Sequence, residues 1–338
     1  MYKMNSKAST TASTTCNTLA IVKNSSIDNY NIAILGNEGN ILSSNVLNRF
    51  YSYLDVSPVS VRSYISGIRQ FMNYLKTCNV VMPTRDNVLS FKKALIANGS
   101  KASTVALYLS AVRRFFAWCE SEGIYSNIAA GIKSPKQDKG HKKDALSGSQ
   151  LKACISGISR QTVEGKRNYA MFLLMACCGL RTCEVVRADV ADIQQLQDSP
   201  VLWVRGKGRA EKNEFVKLSP EVMQAITEYL SARGQVSGDM PLFASCSRRN
   251  KGGRLTTRTV SSVAKSTMVQ AGYNSTRLTA HSLRHSAATL AIRAGMPLQE
   301  VSEFLRHSDI SITMVYVHSI ARIDSECESA VSRAIFAA

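Results

Sequence analysis

Apolar residues recur at helical spacing through the first half of the chain. Steps of three and four residues place such positions on one face of a helix. The spacing is found in three segments: Val46 to Leu54, Val61 to Leu75, and Val105 to Phe116. Ser57 followed by Pro58 is typical of a helix start, because serine caps the first turn and proline is tolerated there. Residues 45–131 are therefore predicted to form an all-helical domain.

The pattern changes further along the chain. Leu151–Ile158 and Asn168–Cys178 are predicted helices, but two short strand-like runs follow, Val201–Arg205 and Glu214–Leu218. They flank a basic turn rich in glycine, which predicts a β-hairpin. The remaining residues are mostly of helical pattern.

The predicted fold class is accordingly mainly α, with an all-helical domain followed by a mixed α/β domain that is mostly helical and holds a small sheet. The mixed domain is assigned to residues 150–319. Residues 320–338, with Ile323, Val331 and Ile335 spaced along them, are predicted to form a C-terminal helix.

Two segments contain few apolar residues that could be buried in a core. Residues 1–44 are rich in Ser, Thr and Asn, which predicts a flexible extension. Residues 132–149, "IKSPKQDKGHKKDALSGS", combine proline and glycine with many lysines. They are predicted to be an interdomain linker that lies against phosphates, with a plain solvated linker as the alternative.

The charge balance adds a partner to this picture. Lys and Arg outnumber Asp and Glu by 42 to 24, a net charge of +18. So large an excess favours a polyanion, most commonly nucleic acid, over a merely soluble basic protein. No apolar run is long enough to span a bilayer. Nine cysteines lack the spacing of a zinc site, and reduced thiols in a cytoplasmic protein are expected, with no metal and no cofactor.

One helix carries candidate chemistry at its start. In "LTAHSLRHSAATLAIRAG", residues 278–295, His281 and Arg284 are three apart and project from nearly the same side. The free N–H groups of a helix N-terminus favour an anion. A guanidinium that donates to two oxygens at once strengthens that preference. The arrangement predicts a phosphate site, although one such pair is weak evidence when taken alone.

Three further motifs strengthen the phosphate hypothesis. "CCGLRTCEVVRA" places Arg181 after a glycine with Glu184 three residues on, and "VRGKGRAEK" places Lys207 in the hairpin turn. "FLRHSDISITMVYVHS" contains His307 and Tyr316. Each has an ordinary alternative: a surface ion pair, a solvated turn lysine, or a half-buried aromatic residue.

The ordered set Arg181, Lys207, His281, Arg284, His307 and Tyr316 resembles the tyrosine recombinases, the lambda-integrase-like enzymes that break and join DNA. The stretch "HSLRHSAATLAIRAGMPLQEVSEFLRHSDISITMVYVH" is similar to the family's C-terminal motif almost throughout. The helical region resembles the family's core-binding domain. Two departures are Arg306, where the family usually has glycine, and Ile312, where threonine is common.

The resemblance implies a role for each residue. Tyr316 would be the nucleophile that forms a 3′-phosphotyrosyl bond, without metal, cofactor or ATP. Arg181 and Arg284 would neutralise the phosphate, and Glu184 would support the site. His281 would donate a hydrogen bond to the phosphate or assist proton movement, and His307 would orient the phosphate. Lys207 would be the general acid, with Lys212 as a second candidate. His285 and His318 are interpreted as structural.

The resemblance also implies partners for the protein. Double-stranded DNA recombination sites would be the substrate, and a homotetramer would assemble on two duplexes through the C-terminal helix, with accessory DNA-bending proteins as further partners. When bound, the enzyme would associate with the nucleoid. Additional DNA contacts are assigned to basic residues, with a solvated loop as the alternative for the last five: Arg113, Arg114, Lys212, Arg248, Arg249, Lys251, Arg254 and Arg258.

Several functions fit this resemblance. Integration or excision of a mobile element is favoured, and Xer-type resolution of chromosome or plasmid dimers is the alternative. A type IB topoisomerase is disfavoured by the core-binding-like helices. A DNA-binding regulator that has lost catalysis is disfavoured by the complete set of six residues.

Overall fold

The computed structural model describes residues 43–136, 144–206, 211–323 and 326–336, with side-chain detail lacking at 318, 319 and 321–323. The predicted N-terminal extension, except for its last two residues, and the centre of the predicted linker lie outside the described residues. The chain divides into two compact units, Met1–Asp138 and Lys139–Ala338. The domain limits inferred from the sequence stay predictions.

The described residues of the first unit form four helices, and the apolar spacing predicts three of them. The four helices are α1 (Ser44–Tyr53), α2 (Pro58–Thr77), α3 (Arg85–Ala97) and α4 (Ala102–Ser121). Helix α2 begins as predicted, because the Ser57 Oγ accepts a hydrogen bond from the Ser60 N–H at 3.3 Å and Pro58 follows the cap. Helix α3 was not predicted.

An aromatic core holds the first unit together. Phe50, Phe71, Phe91, Phe115 and Phe116 are almost completely buried, with ring centroids of neighbouring pairs 5.2–6.1 Å apart. Helices α2 and α4 pack along each other closely. At Gly67 a Cβ would lie 2.7 Å from the Cβ of Ala111, so this glycine permits the close approach of the two helices.

The second unit is mostly helical with one small sheet, which confirms the mainly α fold class. Its elements are α5 (Gly148–Ser156), α6 (Val163–Cys177), α7 (Thr182–Arg187), a 3₁₀ turn (Val190–Asp192), β1 (Ile193–Leu196), β2 (Ser199–Val204), β3 (Glu214–Lys217), α8 (Pro220–Arg233), α9 (Thr257–Gln270), α10 (Ala280–Arg293), α11 (Leu298–Phe304), α12 (Ser311–Ile323) and α13 (Cys327–Phe336).

The sheet is antiparallel in the order β1-β2-β3, with Leu202 opposite Ile193 on one side and Val216 on the other. The predicted hairpin is therefore β2 and β3, and β1 is a third strand that was not predicted. Three of the four residues of β1 are exposed, so it lacks the apolar alternation that marks a strand.

Helix α10 lies at the centre of the second unit and positions the site. It packs against α6, α9, α11 and α12. The buried Ser286 Oγ accepts a hydrogen bond from the Leu146 N–H at 2.7 Å, which ties the start of the unit to this helix. No helix among the described residues has both the length and the apolar character needed to cross a membrane.

Helix α12 spans the predicted boundary at residues 319 and 320 and continues to Ile323, and a separate helix α13 follows. The predicted C-terminal helix of residues 320–338 therefore corresponds to the end of α12 and to α13, as far as the structure describes these residues.

Candidate active site

Arg181 is positioned by a sharp reversal between α6 and α7. Gly179 has a φ of +60°, and a Cβ there would lie 3.0 Å from a methyl group of Leu305. Glycine therefore suits the turn for both its conformation and its lack of a side chain. Arg181 then caps α7, with its backbone N–H 2.9 Å from Glu184 Oε2 and its Nη1 2.7 Å from Glu184 Oε1.

Arg284 is held rigidly below this turn. Its side chain is buried in α10, with Nη1 donating to the Gly179 carbonyl at 2.5 Å and Nη2 donating to the Leu305 carbonyl. Burial, with the nearby charges of Arg181 and Arg306, lowers the pKa of Arg284 to about 9. The group remains a cation at neutral pH, but with much of its hydration removed.

Arg306 stands just after α11, at the position where tyrosine recombinases usually have glycine. Its φ of +54° lies in the left-handed region that glycine adopts readily. The side chain turns inward, where Nη2 lies 3.0 Å from Glu184 Oε2 and Nη1 donates to the Phe304 carbonyl at 2.8 Å. The sequence shows the departure from glycine at this position but not the inward direction of the side chain.

Glu184 is completely buried and joins both arginines. Burial works against its ionisation, but the charge of Arg306 and the hydrogen bonds from Arg181 outweigh it, so the pKa of Glu184 is lowered. A buried carboxylate with two guanidinium partners remains charged. Its two ion pairs make it the common anchor of Arg181 and Arg306.

His307 follows Arg306 just after α11. Its Nδ1 lies 2.8 Å from the hydroxyl of Thr313, a fully buried residue of α12. Burial, together with the positive charges of Arg284 and Arg181, lowers the pKa of His307 to about 4. The imidazole is therefore neutral at pH 7. Thr313 was not predicted, although it directly follows the noted Ile312.

Tyr316, on α12, lies close to His307 and to the two arginines. Only 3% of the residue is exposed, and it packs with Ala288, Val301 and Leu305. Its ring lies 6.3 Å from that of His307 in a nearly parallel arrangement. Burial raises the pKa of Tyr316, while the charges of Arg284 and Arg181 oppose the increase.

His285 also contacts the tyrosine. Its ring meets that of Tyr316 edge to face, with centroids 4.8 Å apart, and its Nδ1 lies 3.1 Å from the Thr289 hydroxyl. The interpretation of His285 as a structural residue stays a prediction, and Tyr316 is the side chain that it packs against. The side chain of His318 lies outside the described residues.

An open cleft lies beside Arg181 and His281. It has a volume of about 680 Å³ and is lined by Arg181, His281, Arg258 and Lys265 among others. His281 is exposed at the start of α10. The arrangement brings a cationic, partly solvated opening next to the buried arginines, which suits a phosphate carried on a larger molecule. Lys265 was not among the predicted basic contacts.

The predicted lysines have different outcomes. Lys207 lies outside the described residues. Lys212 Nζ lies 2.6 Å from both Asp189 Oδ2 and Asp192 Oδ2, which raises the pKa of Lys212 against the opposing effect of burial. These ion pairs hold Lys212 at the base of the hairpin, so the structure disfavours it as the mobile lysine and as a phosphate contact.

Arg254 is engaged in the same way. It donates to Asp189 Oδ1 at 2.5 Å and to the Val186 carbonyl at 2.9 Å. Arg254 is itself exposed, but its predicted contact with DNA would have to compete with these bonds. Arg248, Arg249 and Lys251 are also exposed, as the prediction requires.

In the first unit, the two predicted arginines differ. Arg113 is partly buried and donates to the Ile132 carbonyl at 3.1 Å. Arg114 is exposed, and its guanidinium lies 5.8 Å from the ring centre of Tyr64. Their contacts with DNA stay predictions.

Known proteins resemble the chain in both sequence and fold. The profile of the phage integrase family matches residues 145–322, and that of the phage integrase N-terminal SAM-like domain matches residues 47–123. The tyrosine recombinase XerC of Herpetosiphon aurantiacus is 30% identical over 285 residues, covering 80% of this chain and 90% of that protein. The tyrosine recombinase XerD of Rhizobium meliloti is 29% identical over 270 residues, covering 77% and 84%.

Solved structures share the fold. XerH site-specific recombinase bound to a palindromic difH substrate matches with a TM-score of 0.65 at 20% identity, over 81% of this chain and 80% of that one. A lambda integrase dimer bound to a COC′ core site matches with a TM-score of 0.61 at 16% identity, over 79% and 95%. Because the phage integrase profile covers more than half of the chain, this protein belongs to the phage integrase family and is a site-specific tyrosine recombinase.

Proposed function

We propose that this recombinase cleaves and rejoins DNA strands through a 3′-phosphotyrosyl intermediate on Tyr316. The observation that carries the proposal is the convergence of Arg181, Arg284, His307 and Tyr316, from four separate segments, on one pocket. The net charge of +18 and the DNA bound to the XerH and lambda integrase fold neighbours support DNA as the substrate.

The chemistry conserves a phosphodiester bond. The Tyr316 oxygen attacks a backbone phosphorus, a tyrosyl ester forms, and the bond from phosphorus to the 5′ oxygen of the next nucleotide breaks. The phenol loses its proton and the departing 5′ oxygen gains one. Since one diester replaces another, the step needs no ATP and runs backwards when a 5′ hydroxyl attacks the tyrosyl ester.

The arginines supply the electrostatic part of catalysis. Negative charge grows on the non-bridging oxygens as phosphorus becomes five-coordinate, and Arg181 and Arg284 are fixed in advance to receive it. A donor that is already oriented needs no reorganisation during the reaction. The carbonyls and the carboxylate that hold the two guanidiniums provide that orientation.

Three further side chains would bind the phosphate or transfer protons. His307, neutral at pH 7, would bind the phosphate as a hydrogen-bond donor through its second ring nitrogen. His281, exposed in the cleft, would donate to the same phosphate or assist proton movement. Lys207 is proposed as the general acid for the 5′ oxygen.

Tyr316 needs both activation and access. A free tyrosine has a pKa of about 10, and burial of Tyr316 raises its pKa further. The ring is also covered by Ala288, Val301 and Leu305. We therefore propose that DNA binding brings a phosphate beside Arg284 and shifts α12 so that the phenol meets it.

The test is covalent trapping. Host genomic DNA fragments are incubated with the protein, covalent adducts are isolated under denaturing conditions, and the junctions are sequenced. A nicked duplex of the site so found is then used to accumulate the intermediate. The adduct is expected with the wild type and with the control Tyr273→Phe, and it is expected to be absent with Tyr316→Phe. DNA binding without any adduct would favour the regulator that has lost catalysis.

The positions of the sequenced junctions also distinguish the two biological pathways. Cleavage at the two ends of a mobile element supports the integration and excision predicted from the sequence. Cleavage at a single chromosomal locus supports dimer resolution, which the XerC and XerD relatives favour.

We also propose that protomers assemble through α13 into a tetramer on two duplexes. None of the residues of α13 is buried, and Val331, Ile335 and Phe336 are 58%, 67% and 79% exposed. An apolar groove of about 620 Å³, lined by Leu290, Phe304 and neighbours, is a complementary surface for the α13 of another protomer.

The assembly is tested by charge placed on one face of α13. Ile335→Asp is expected to abolish the paired-duplex complex in gel-shift and light-scattering measurements while one-site binding persists, because a carboxylate is excluded from an apolar interface. Ala330→Asp, with the same charge on the opposite face of α13, is the control. Equal tetramer formation by wild type and Ile335→Asp would contradict the proposed contact.

A further inference from the structure

The backbone of Arg306 is unusual even among the turns of this chain. Its φ of +54° is shared, among non-glycine residues that the structure describes, only by Asn79 and Gln197, each at +53°. Asn79 and Gln197 lie at the ends of surface elements. Residues with a side chain rarely adopt this left-handed region. Such an outlier at a candidate active site invites a functional explanation.

The side chain of Arg306 is 4% exposed and lies behind the pocket. Its guanidinium contacts Glu184 Oε2 at 3.0 Å, the Phe304 carbonyl at 2.8 Å and the Gly179 carbonyl at 3.4 Å. The backbone takes part too, because the Arg306 carbonyl accepts from Arg181 Nη2 at 3.4 Å. Arg306 is thus bonded to the groups that hold Arg181 and Arg284, and both of its terminal nitrogens are engaged by Glu184 and by the Phe304 and Gly179 carbonyls.

The net charge of this cluster depends on Arg306. The guanidiniums of Arg181, Arg284 and Arg306 surround one buried carboxylate, that of Glu184. Three positive charges against one negative charge leave a net formal charge of +2. A glycine in place of Arg306 would leave +1, because Glu184 would then compensate Arg181 alone.

We propose that Arg306 is a positioning residue that neutralises Glu184 and thereby leaves the charge of Arg181 available to the scissile phosphate. This inference rests on the proposed function. A phosphodiester carries one negative charge, and its five-coordinate transition state carries two. The cluster with Arg306 matches the transition state in charge, so the effect of Arg306 is larger on the cleavage step than on DNA binding.

The first test compares two substitutions to glycine. Arg306→Gly removes the guanidinium and suits the left-handed backbone, so the fold is expected to persist. Gln197→Gly relaxes a similar backbone conformation in the exposed turn between β1 and β2 and serves as the control. Single-turnover cleavage of a nicked duplex is expected to slow on the order of 10–100-fold in Arg306→Gly, below the full loss of a direct donor, and not at all in Gln197→Gly. Arg306→Lys is expected to recover part of the rate.

The second test asks whether Arg306 acts through Glu184. In a Glu184→Gln background the carboxylate charge is absent, so Arg306→Gly is expected to slow cleavage much less than in the wild-type background. A third measurement uses a methylphosphonate at the scissile position, whose transition state carries one negative charge fewer. The rate ratio of wild type to Arg306→Gly is expected to shrink on this neutral substrate.

The outcomes separate the two proposals. If the wild type forms no Tyr316-dependent adduct, the proposed function fails and the role of Arg306 fails with it. If the wild type forms the adduct and Arg306→Gly cleaves at the same rate, only the role of Arg306 is overturned. Equal losses in both backgrounds and on both substrates would show that Arg306 merely supports the fold.

Discussion

Two groups of basic residues in the second unit differ in almost every physical respect. Arg284 and Arg306 are almost completely buried, and each is bonded to backbone carbonyls. Arg248, Arg249 and Lys251 lie exposed on the loop between α8 and α9. Buried cations have lost hydration and act strongly at short range, whereas exposed ones are screened by salt and solvent. The first group is suited to act on one phosphate, and the second is suited to weak attraction of a polyanion.

The largest expected effect is on Arg284. Arg284→Lys replaces a planar fork with a single ammonium, which cannot hold the Gly179 and Leu305 carbonyls and also face a phosphate. Single-turnover cleavage is expected to fall on the order of 10²–10³-fold. DNA affinity is expected to change little, because only one of many phosphate interactions is altered.

Arg293→Lys, at the exposed end of the same helix, is the control and is expected to cleave at the wild-type rate. A large fall in affinity with an unchanged cleavage rate for Arg284→Lys would place Arg284 with the binding residues and break the contrast between the two groups.

The loop is expected to show the opposite behaviour. Replacing Arg248, Arg249 and Lys251 with serine removes up to three cations that neutralise DNA phosphates. The plot of log affinity against log salt concentration is then expected to become shallower by about 0.9 for each phosphate that is no longer neutralised. Cleavage at saturating DNA is expected to remain within about twofold of wild type, because none of the three reaches the transition state. A salt slope equal to that of the wild type would support the solvated-loop alternative.

The comparison also shows which parts of the molecule the sequence could predict. Helical spacing indicated α1, α2 and α4, and the capping pair Ser57-Pro58 set the start of α2. The same spacing exists at Val88, Phe91 and Leu95, so α3 was predictable and was overlooked. Strand β1 was not predictable from pattern, because it is mostly exposed and is stabilised by pairing with β2.

Within the candidate site, motif spacing proposed the residues, and the resemblance to tyrosine recombinases was confirmed. Motif spacing could not predict ion pairs between residues that are distant in the sequence. Lys212 and Arg254 have the charge of phosphate contacts, but Asp189, distant in sequence from both, engages them. The inward turn of Arg306 depends likewise on Glu184, 122 residues away along the chain. Only the folded structure shows which carboxylate meets which cation.

The smallest expected effect is on the pH dependence of the unfolding free energy. Burial, together with the charges of the nearby arginines, lowers the pKa of His307 to about 4, below the value of about 6.5 for an unfolded chain. Between these values the unfolded state binds more protons, so this contribution to stability is present near pH 7 and is lost as the pH falls towards 4. His307→Gln removes the titration, so it is expected to lose less unfolding free energy between pH 7 and pH 5 than the wild type.

The difference is expected to be on the order of 1 kcal/mol, measured by urea unfolding at both pH values. Groups whose titration is the same in both proteins cancel in the comparison. Arg248→Ser is expected to reproduce the wild-type dependence, because the loop charge is screened from the pocket. Equal pH dependence in wild type and His307→Gln would mean that His307 accepts a proton normally. The buried cations would then exert no more influence on their neighbours than the exposed ones do.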